Sequence, residues 1–350
     1  MLPYLLSWGV FASAGLGTSR RIADSNLLAL GAFLTLLFGL RYEVGGDWFS
    51  YFGFIDRSFG LPFAEVFLET EPGYGLLNWI GANWGGGVFL VNTICGLLFS
   101  IGLLLFCRAQ PRPWLALCLA FPYLVTVVAM GYSRQSVAIG LEMLALLELQ
   151  NNKLLRFLGL IALAATFHRT VLVMLVLPAC TLSGSLRFSQ FIRLGLLAGV
   201  AYGLYSAVIE SDLNYYVQGY LEAEYQSQGA LIRVALCGLP AVAFLLNRRR
   251  FQLIPDVQRI WALLSLMAVA AAIGLFTVAS STAVDRLALY LIPLQLFVGS
   301  RVPHTCLFGI PQGIWNQLLI LFSLAVLLVW LLFAAHSTYW LPYRNLLLPF

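Results

Sequence analysis

Charge is what this sequence has least of. Only 10% of its 350 residues are Asp, Glu, Lys or Arg, and 61% are hydrophobic, where a soluble domain carries about 25% charged residues. An ordinary water-soluble enzyme is excluded on that ground. Lysine is nearly missing: Lys153 stands alone, and the other nineteen basic residues are Arg. The six cysteines (Cys95, Cys107, Cys118, Cys180, Cys237 and Cys306) form no CxxC pair. They read as small core residues, not as a disulfide framework or a metal site. With no basic stripe and almost no aqueous domain to carry one, a nucleic-acid partner is not expected.

What is present is a series of apolar runs separated by short polar breaks, with a mean hydropathy of +0.87. The runs have the length that a helix needs to cross hydrocarbon, about 17–25 residues. They predict spans near 2–17, 25–40, 87–107, 114–130, 132–149, 194–209, 230–246, 260–279, 285–300 and 314–333. The stretch Met1–Gly17 lacks a basic lead-in and is read as the first span, not as a signal peptide. Breaks rich in Arg orient the chain. Arg20/Arg21, Arg108/Arg112, Lys153/Arg156, Arg187/Arg193, Arg248–Arg250 with Arg259, and Arg301 are assigned to the cytoplasm. Residues 41–86, rich in Trp, Tyr and Phe, then form an external loop with an interfacial helix, and 210–229 a second external loop.

One stretch disturbs this alternation. Lys153/Arg156 and Arg187/Arg193 share a side only if the apolar stretch between them is a hairpin of two short legs, 155–167 and 171–182. Each leg would cover about 16–20 Å and turn at His168-Arg169-Thr170; one long tilted helix with Arg187 outside is the alternative. Gly195, Gly199 and Gly203 share a helix face that suits close packing. The expected fold is all-α: a polytopic integral membrane protein, one domain over 1–350, with about ten to twelve transmembrane helices including the broken-helix hairpin.

Seven bases sit against the positive-inside rule: Arg41, Arg57, Arg134, Arg169, Arg233, Arg286 and Arg344. An Arg within hydrocarbon costs at least about 2.5–3.5 kcal/mol on insertion scales, so each needs a reason. Structural ion pairs with snorkelling heads are one reading. Convergence of forked guanidinium groups on a phosphate or diphosphate is the other, and Arg41, Arg134 and Arg286 are its candidates. Local spacing points the same way. The Gly45-Gly46 pair makes a tight turn before Asp47, which shares a helix face with Tyr51. Glu71-Pro72 starts a helix on which Tyr74 and Asn78 form one stripe. Glu142 follows Arg134 on the same face, either as a functional acid or as the partner of a basic neighbour. His168 stands at the hairpin apex.

These residues carry a resemblance. Arg41 with Val44-Gly45-Gly46-Asp47-Trp48 and Tyr51, then Glu71-Pro72-Gly73-Tyr74 with Asn78, resemble the outer loop of the EpsG-like branch of the Wzy-type polysaccharide polymerases. Further matches are Tyr132-Ser133-Arg134-Gln135, Phe167-His168-Arg169-Thr170, Asp285-Arg286-Leu287 with Tyr290, and Pro342-Tyr343-Arg344-Asn345. The resemblance implies a metal-independent, cofactor-free glycosyltransferase in the bacterial cytoplasmic membrane, its active site facing the exterior or periplasm. Its substrate would be an undecaprenyl-diphosphate-linked oligosaccharide, moved onto the non-reducing end of the next lipid-linked repeat. Membrane lipids, a chain-length regulator and a flippase of the same pathway are the implied partners. On this reading Arg41, Arg134 and Arg286 bind the diphosphate, and Asp47, Glu71 or His168 accepts the acceptor's proton. Tyr51, Tyr74, Asn78, Gln135, Asp285 and Tyr290 line the substrate. A glycan ligase and a flippase of lipid-linked oligosaccharide are the rival functions.

Overall fold

In hydrocarbon every backbone N–H and C=O must find its partner within the segment, which leaves the helix as the solution for runs of this length. The computed structural model describes residues 1–17, 21–181, 187–209, 230–277 and 281–348. Arg20 and the expected second external loop, 210–229, lie outside the described residues. Four helices are long and apolar enough to cross a membrane: Gly87–Arg108, Ala230–Phe251, Pro255–Thr277 and Gln312–Phe333. Six shorter apolar helices accompany them: Leu2–Leu16, Asp24–Gly39, Pro113–Ala129, Leu154–Ala165, Arg169–Cys180 and Ile192–Tyr205. No strand occurs among the described residues, and an isolated bridge pairs Arg41 with Asn345. The protein is an all-α polytopic membrane protein.

The expected hairpin is present. A helix over Leu154–Ala165 breaks at Thr166–His168, and the chain resumes as a 3₁₀ segment, Arg169–Leu175, that continues as an α-helix over Val176–Thr181. The 3₁₀ segment packs against the first leg and against the helix Arg187–Ile209. Gly199 and Gly203 make the second contact possible: a Cβ there would lie 2.5 Å from Leu175 Cδ1 and 2.9 Å from the Val173 nitrogen. Gly195 faces open space and takes no part.

Two expectations need correction. The run 285–300 is not one helix: Ser281–Leu289 ends at a turn through Tyr290 and Leu291, and a second helix runs from Ile292 to Thr305. Pro293 explains the break, since it has no N–H to continue the first helix and suits the opening of a new one. Residues 41–86 hold not one interfacial helix but three short ones, Trp48–Ser58, Val66–Glu69 and Pro72–Asn83.

The chain forms two compact units. The first comprises Met1–Leu144, Thr166–His168 and Gly299–Phe350; the second comprises Ala145–Ala165 and Arg169–Val298. In the first, Asp24–Gly39 lies along Gly87–Arg108, and Leu2–Leu16 packs on Pro113–Ala120 and on Gln312–Phe333. Its C-terminal segment folds back on the second helix: the Tyr343 hydroxyl donates to Leu37 O (2.9 Å) and Asn345 Nδ2 to Leu36 O (3.1 Å). In the second unit Ala230–Asn247 packs on Pro255–Thr277, with Val234, Val284 and Ala288 as a small core. Trp261 stacks on Phe297 there, with ring centroids 3.7 Å apart.

Candidate functional site

The functional side chains of the first unit are held by the segment 41–86, by the start of the helix Ser133–Gln150 and by the turn Thr166–His168. Gly45 sets the entry. Its φ is +108°, and a Cβ would stand 2.4 Å from Met130 O, so only glycine fits this turn. Gly46 has no such constraint. The turn aims Asp47 and Trp48 into the first helix of the segment, and Tyr51 follows one turn later. Tyr51 is buried; its hydroxyl donates to Gly131 O (3.0 Å) and accepts from the Ser133 N–H (2.9 Å). Burial, reinforced by the Asp47 carboxylate, pushes the phenol up to about 12, so it remains a donor at neutral pH.

Arg41 is 1% exposed. Its Nε donates to Val44 O (3.1 Å), Nη1 to Phe38 O, and Nη2 to Asn92 Oδ1 (3.3 Å) and Ser133 Oγ (3.0 Å). The guanidinium also lies 5.8 Å from the Trp48 ring centroid. Four of the five N–H donors of an arginine are thus committed to protein oxygens. The first of the three expected diphosphate ligands thus lies within a buried hydrogen-bond network.

Arg134 is placed differently. Its side chain is 35% exposed, and Nη1 lies 3.0 Å from Glu71 Oε2, whose own side chain is 5% exposed. The guanidinium sits 5.2 Å from the Phe54 centroid and 5.5 Å from the Tyr74 centroid. Arg57 approaches the same Phe54 ring at 4.7 Å, so the two Cζ atoms stand no more than about 10 Å apart. Thr70 Oγ1 donates to Glu71 Oε2 at 2.8 Å. Burial alone would raise the Glu71 carboxyl, but Arg134, the Thr70 hydroxyl and the nearby His168 outweigh it and hold the group below the ordinary carboxylate value.

The hairpin turn delivers His168 to this cluster. Gly73 and Tyr74 both donate their N–H to Thr166 O, at 2.8 and 3.3 Å. That approach needs glycine at 73, because a Cβ would lie 2.4 Å from Thr166 Oγ1 and 3.0 Å from Thr166 O. Asn78 Nδ2 donates to Tyr74 O (2.8 Å). The Tyr74 hydroxyl and Asn78 Oδ1, a turn apart on one helix, are buried with no hydrogen-bond partner among the described residues. Gln135 is buried at the start of its helix.

The remaining expected residues belong to the second unit. Asp285 accepts from Arg233 Nε at 2.6 Å, and both are largely buried; the acid expected to line substrate is held in an ion pair. Arg286 is half-buried in the last turn of Ser281–Leu289, and Tyr290 is buried in the turn that follows. Asp47, Glu71, His168, Arg41, Arg134, Tyr51, Tyr74, Asn78 and Gln135 are therefore gathered in one unit, and Asp285, Arg286 and Tyr290 in the other.

The model of the EpsG family matches residues 27–345. The chain belongs to the EpsG family. No curated protein and no solved structure matches it. Membership spans both units and bears out the resemblance carried by the motifs, and it makes the chain a membrane protein of polysaccharide synthesis.

Within this EpsG-family chain, sequence reasoning passed over Asn92, Ser133, Thr70 and Phe54. Asn92 had a signal, a polar side chain in an apolar run, and Ser133 stood inside a quoted motif. Thr70 and Phe54 had none, because their roles depend on where Glu71 and Arg134 come to rest. The Arg344 of the terminal motif pairs with Glu43, a structural contact, as that motif's Tyr343 and Asn345 also make. Glu142 is fully buried and neither carboxyl oxygen has a hydrogen-bond partner among the described residues, so of its two readings the pairing with a basic neighbour is not made there.

The depressed Glu71 carboxyl yields a pH prediction for the folded state. A group whose folded value is lowered adds stability above its unfolded value and loses it as pH falls through the folded one. The melting temperature of the wild type should therefore exceed that of Glu71→Gln at pH 7. This gap should begin to narrow as pH falls past the ordinary carboxylate value, and close below the depressed folded one. A gap that widens on acidification would show the sign to be wrong.

Proposed function

We propose that this protein polymerises a polysaccharide at the outer face of the cytoplasmic membrane, moving a growing glycan from undecaprenyl diphosphate onto the non-reducing end of a lipid-linked repeat. The observation that carries this reading is the Arg134–Glu71–His168 cluster. A partly exposed guanidinium, a buried ionised carboxylate and an imidazole meet beside the Phe54 and Tyr74 rings, in a chain of the EpsG family. In the reaction the acceptor hydroxyl oxygen bonds to the anomeric carbon while the bond from that carbon to the diphosphate oxygen breaks. The leaving diphosphate keeps the electron pair, and the hydroxyl proton passes to a base.

Arg134 is the group to meet the leaving diphosphate, since charge developing in the transition state is best stabilised by a preorganised donor. Arg57 is the second. Two guanidinium groups within about 10 Å on one ring can each take one phosphate of a diphosphate. Arg41, with its donors committed to protein, is assigned to the frame of the site. Glu71 is a weak base while paired with Arg134, so His168 beside it takes the proton and Glu71 holds Arg134 in place. Asp47, one turn before Tyr51 and expected as an alternative base, is assigned here to contact the acceptor sugar, as are the polar atoms of Tyr74 and Asn78.

The test is reconstitution. Purified protein in liposomes with an authentic lipid-linked repeat should produce a ladder of products on a gel. Folded protein that yields no ladder defeats the polymerase reading. A single transfer to a different acceptor, without a ladder, would favour a ligase.

A further inference from the structure

A second basic cluster lies far from Arg134. The helix Gly87–Arg108 carries Asn92, a partner of Arg41, near one end and Arg108 at the other; sixteen residues of helical rise put these about 24 Å apart. At the Arg108 end Arg21, Arg108, Ala109, Gln110, Pro111 and Pro113 line a cavity of about 320 Å³. Arg108 Nη1 reaches Asp24 at 2.6 Å, but that carboxylate is 85% exposed, where solvent weakens the pair. Arg301 donates to Gln110 Oε1 at 2.5 Å in the cavity wall.

Arg112 stands between the two lining prolines. It is 8% exposed, its one hydrogen bond from Nη2 to Gly17 O is long at 3.4 Å, and its Nε has no partner. No carboxylate pairs with Arg21 or Arg112 among the described residues. A buried guanidinium without a counter-charge is costly, and among the described residues the carboxylate paired at this cavity, Asp24, is exposed and holds Arg108. An anion from outside the protein would supply the counter-charge that Arg112 lacks. The cavity is at a helix end, in a chain whose spans put helix ends at the bilayer surface, where the anionic groups at hand are lipid phosphates. Basic pockets between helices at that level bind such headgroups.

We propose that this cavity binds the phosphate headgroup of an anionic membrane phospholipid. Arg21 and Arg108 contact the phosphate, and Arg112 supplies positive potential from behind Pro111 and Pro113. The ligand is a neighbour of the fold and not the lipid-linked substrate, which the proposed reaction handles at the other end.

The full-length protein is placed in nanodiscs of phosphatidylcholine alone or with phosphatidylglycerol, and retained lipid is read by native mass spectrometry beside the melting temperature. Phosphatidylglycerol should be retained after delipidation and should raise the melting temperature by about 2–4 °C. Arg21→Gln, at an exposed side chain, should lose both effects, whereas the charge-matched control Arg249→Gln should keep them. Arg112→Lys retains the charge and should keep them in part. Equal behaviour in the two lipids overturns the proposal, as does equal loss in the Arg249→Gln control. Inorganic phosphate added to phosphatidylcholine discs distinguishes the sources: the same stabilisation by phosphate alone would overturn the lipid assignment.

Discussion

Replacing Arg134 with glutamine should leave a folded protein that makes almost no polymer. The expected loss is on the order of 10²–10³-fold, the effect of removing one preorganised donor from a developing anion. Unlike Arg41, which is 1% exposed, this residue is partly open to solvent. Its guanidinium is 35% exposed and pairs through Nη1 with a carboxylate that is itself 5% exposed. Arginine is needed for more than charge, because a fork can grip two phosphate oxygens at once while an ammonium is a single point. Arg134→Lys should therefore recover only part of the activity. The single substitution also leaves Glu71 buried without its cation, so a loss of product could reflect a loss of fold. The double variant Arg134→Gln/Glu71→Gln removes that complication. It should melt near the wild-type temperature and remain inactive, as judged by the ladder from a lipid-linked repeat. Wild-type turnover in either variant would dismiss Arg134 as the diphosphate ligand.

The second large effect falls on folding. Arg41→Ala should fail to yield a monodisperse protein, or should melt far below the wild type. Four hydrogen bonds tie this guanidinium to the helix Asp24–Gly39, to Val44 in the turn after it, to Asn92 and to Ser133. Its backbone pairs with Asn345 near the other end of the chain. Breaking one side of a buried charged network costs about 3–5 kcal/mol, a large share of the 5–15 kcal/mol that separates folded from unfolded states. Lysine cannot reach the same four acceptors and should rescue little. Size-exclusion profiles and melting curves check the outcome. If Arg41→Ala folds as well as the wild type yet makes no polymer, Arg41 is a substrate ligand and the brace assignment is wrong.

These two arginines show where reading the sequence stops. Both lie against the positive-inside rule, both border aromatic residues, and both fit the pattern of a phosphate clamp. The difference lies in their surroundings. Arg41 meets Asn92 and Ser133, 51 and 92 residues away along the chain, and no local spacing could bring those to it. Arg134 meets Glu71, 63 residues earlier, and is left half open. Asp285 is a similar case. Beside Arg286 in a motif it reads as a substrate contact, and no local spacing announced its ion pair with Arg233 on another helix.

Other features were legible because their cause is local. Hydrocarbon thickness and helical rise set the length of the spans. Arg distribution between breaks pointed to a hairpin over one long tilted span, and the chain does break at Thr166–His168. The turn at Gly45 was readable from the glycine pair, although only one of the two needs to be glycine. The break at Tyr290–Leu291 was readable as well, through Pro293, but the hydropathy of 285–300 hid it, because a proline at the start of a second helix leaves an apolar run intact.

Sequence by itself determined that this chain is helical, membrane-embedded and of the EpsG kind, because composition, periodicity and ordered short motifs depend on neighbours a few residues apart. Tertiary structure alone decided which of its scarce charges are taken up by protein partners and which stay partly exposed. That choice depends on the partners that distant segments deliver: to a guanidinium in a nearly charge-free protein, a carbonyl or a carboxylate from another helix is the difference between a strut and a site.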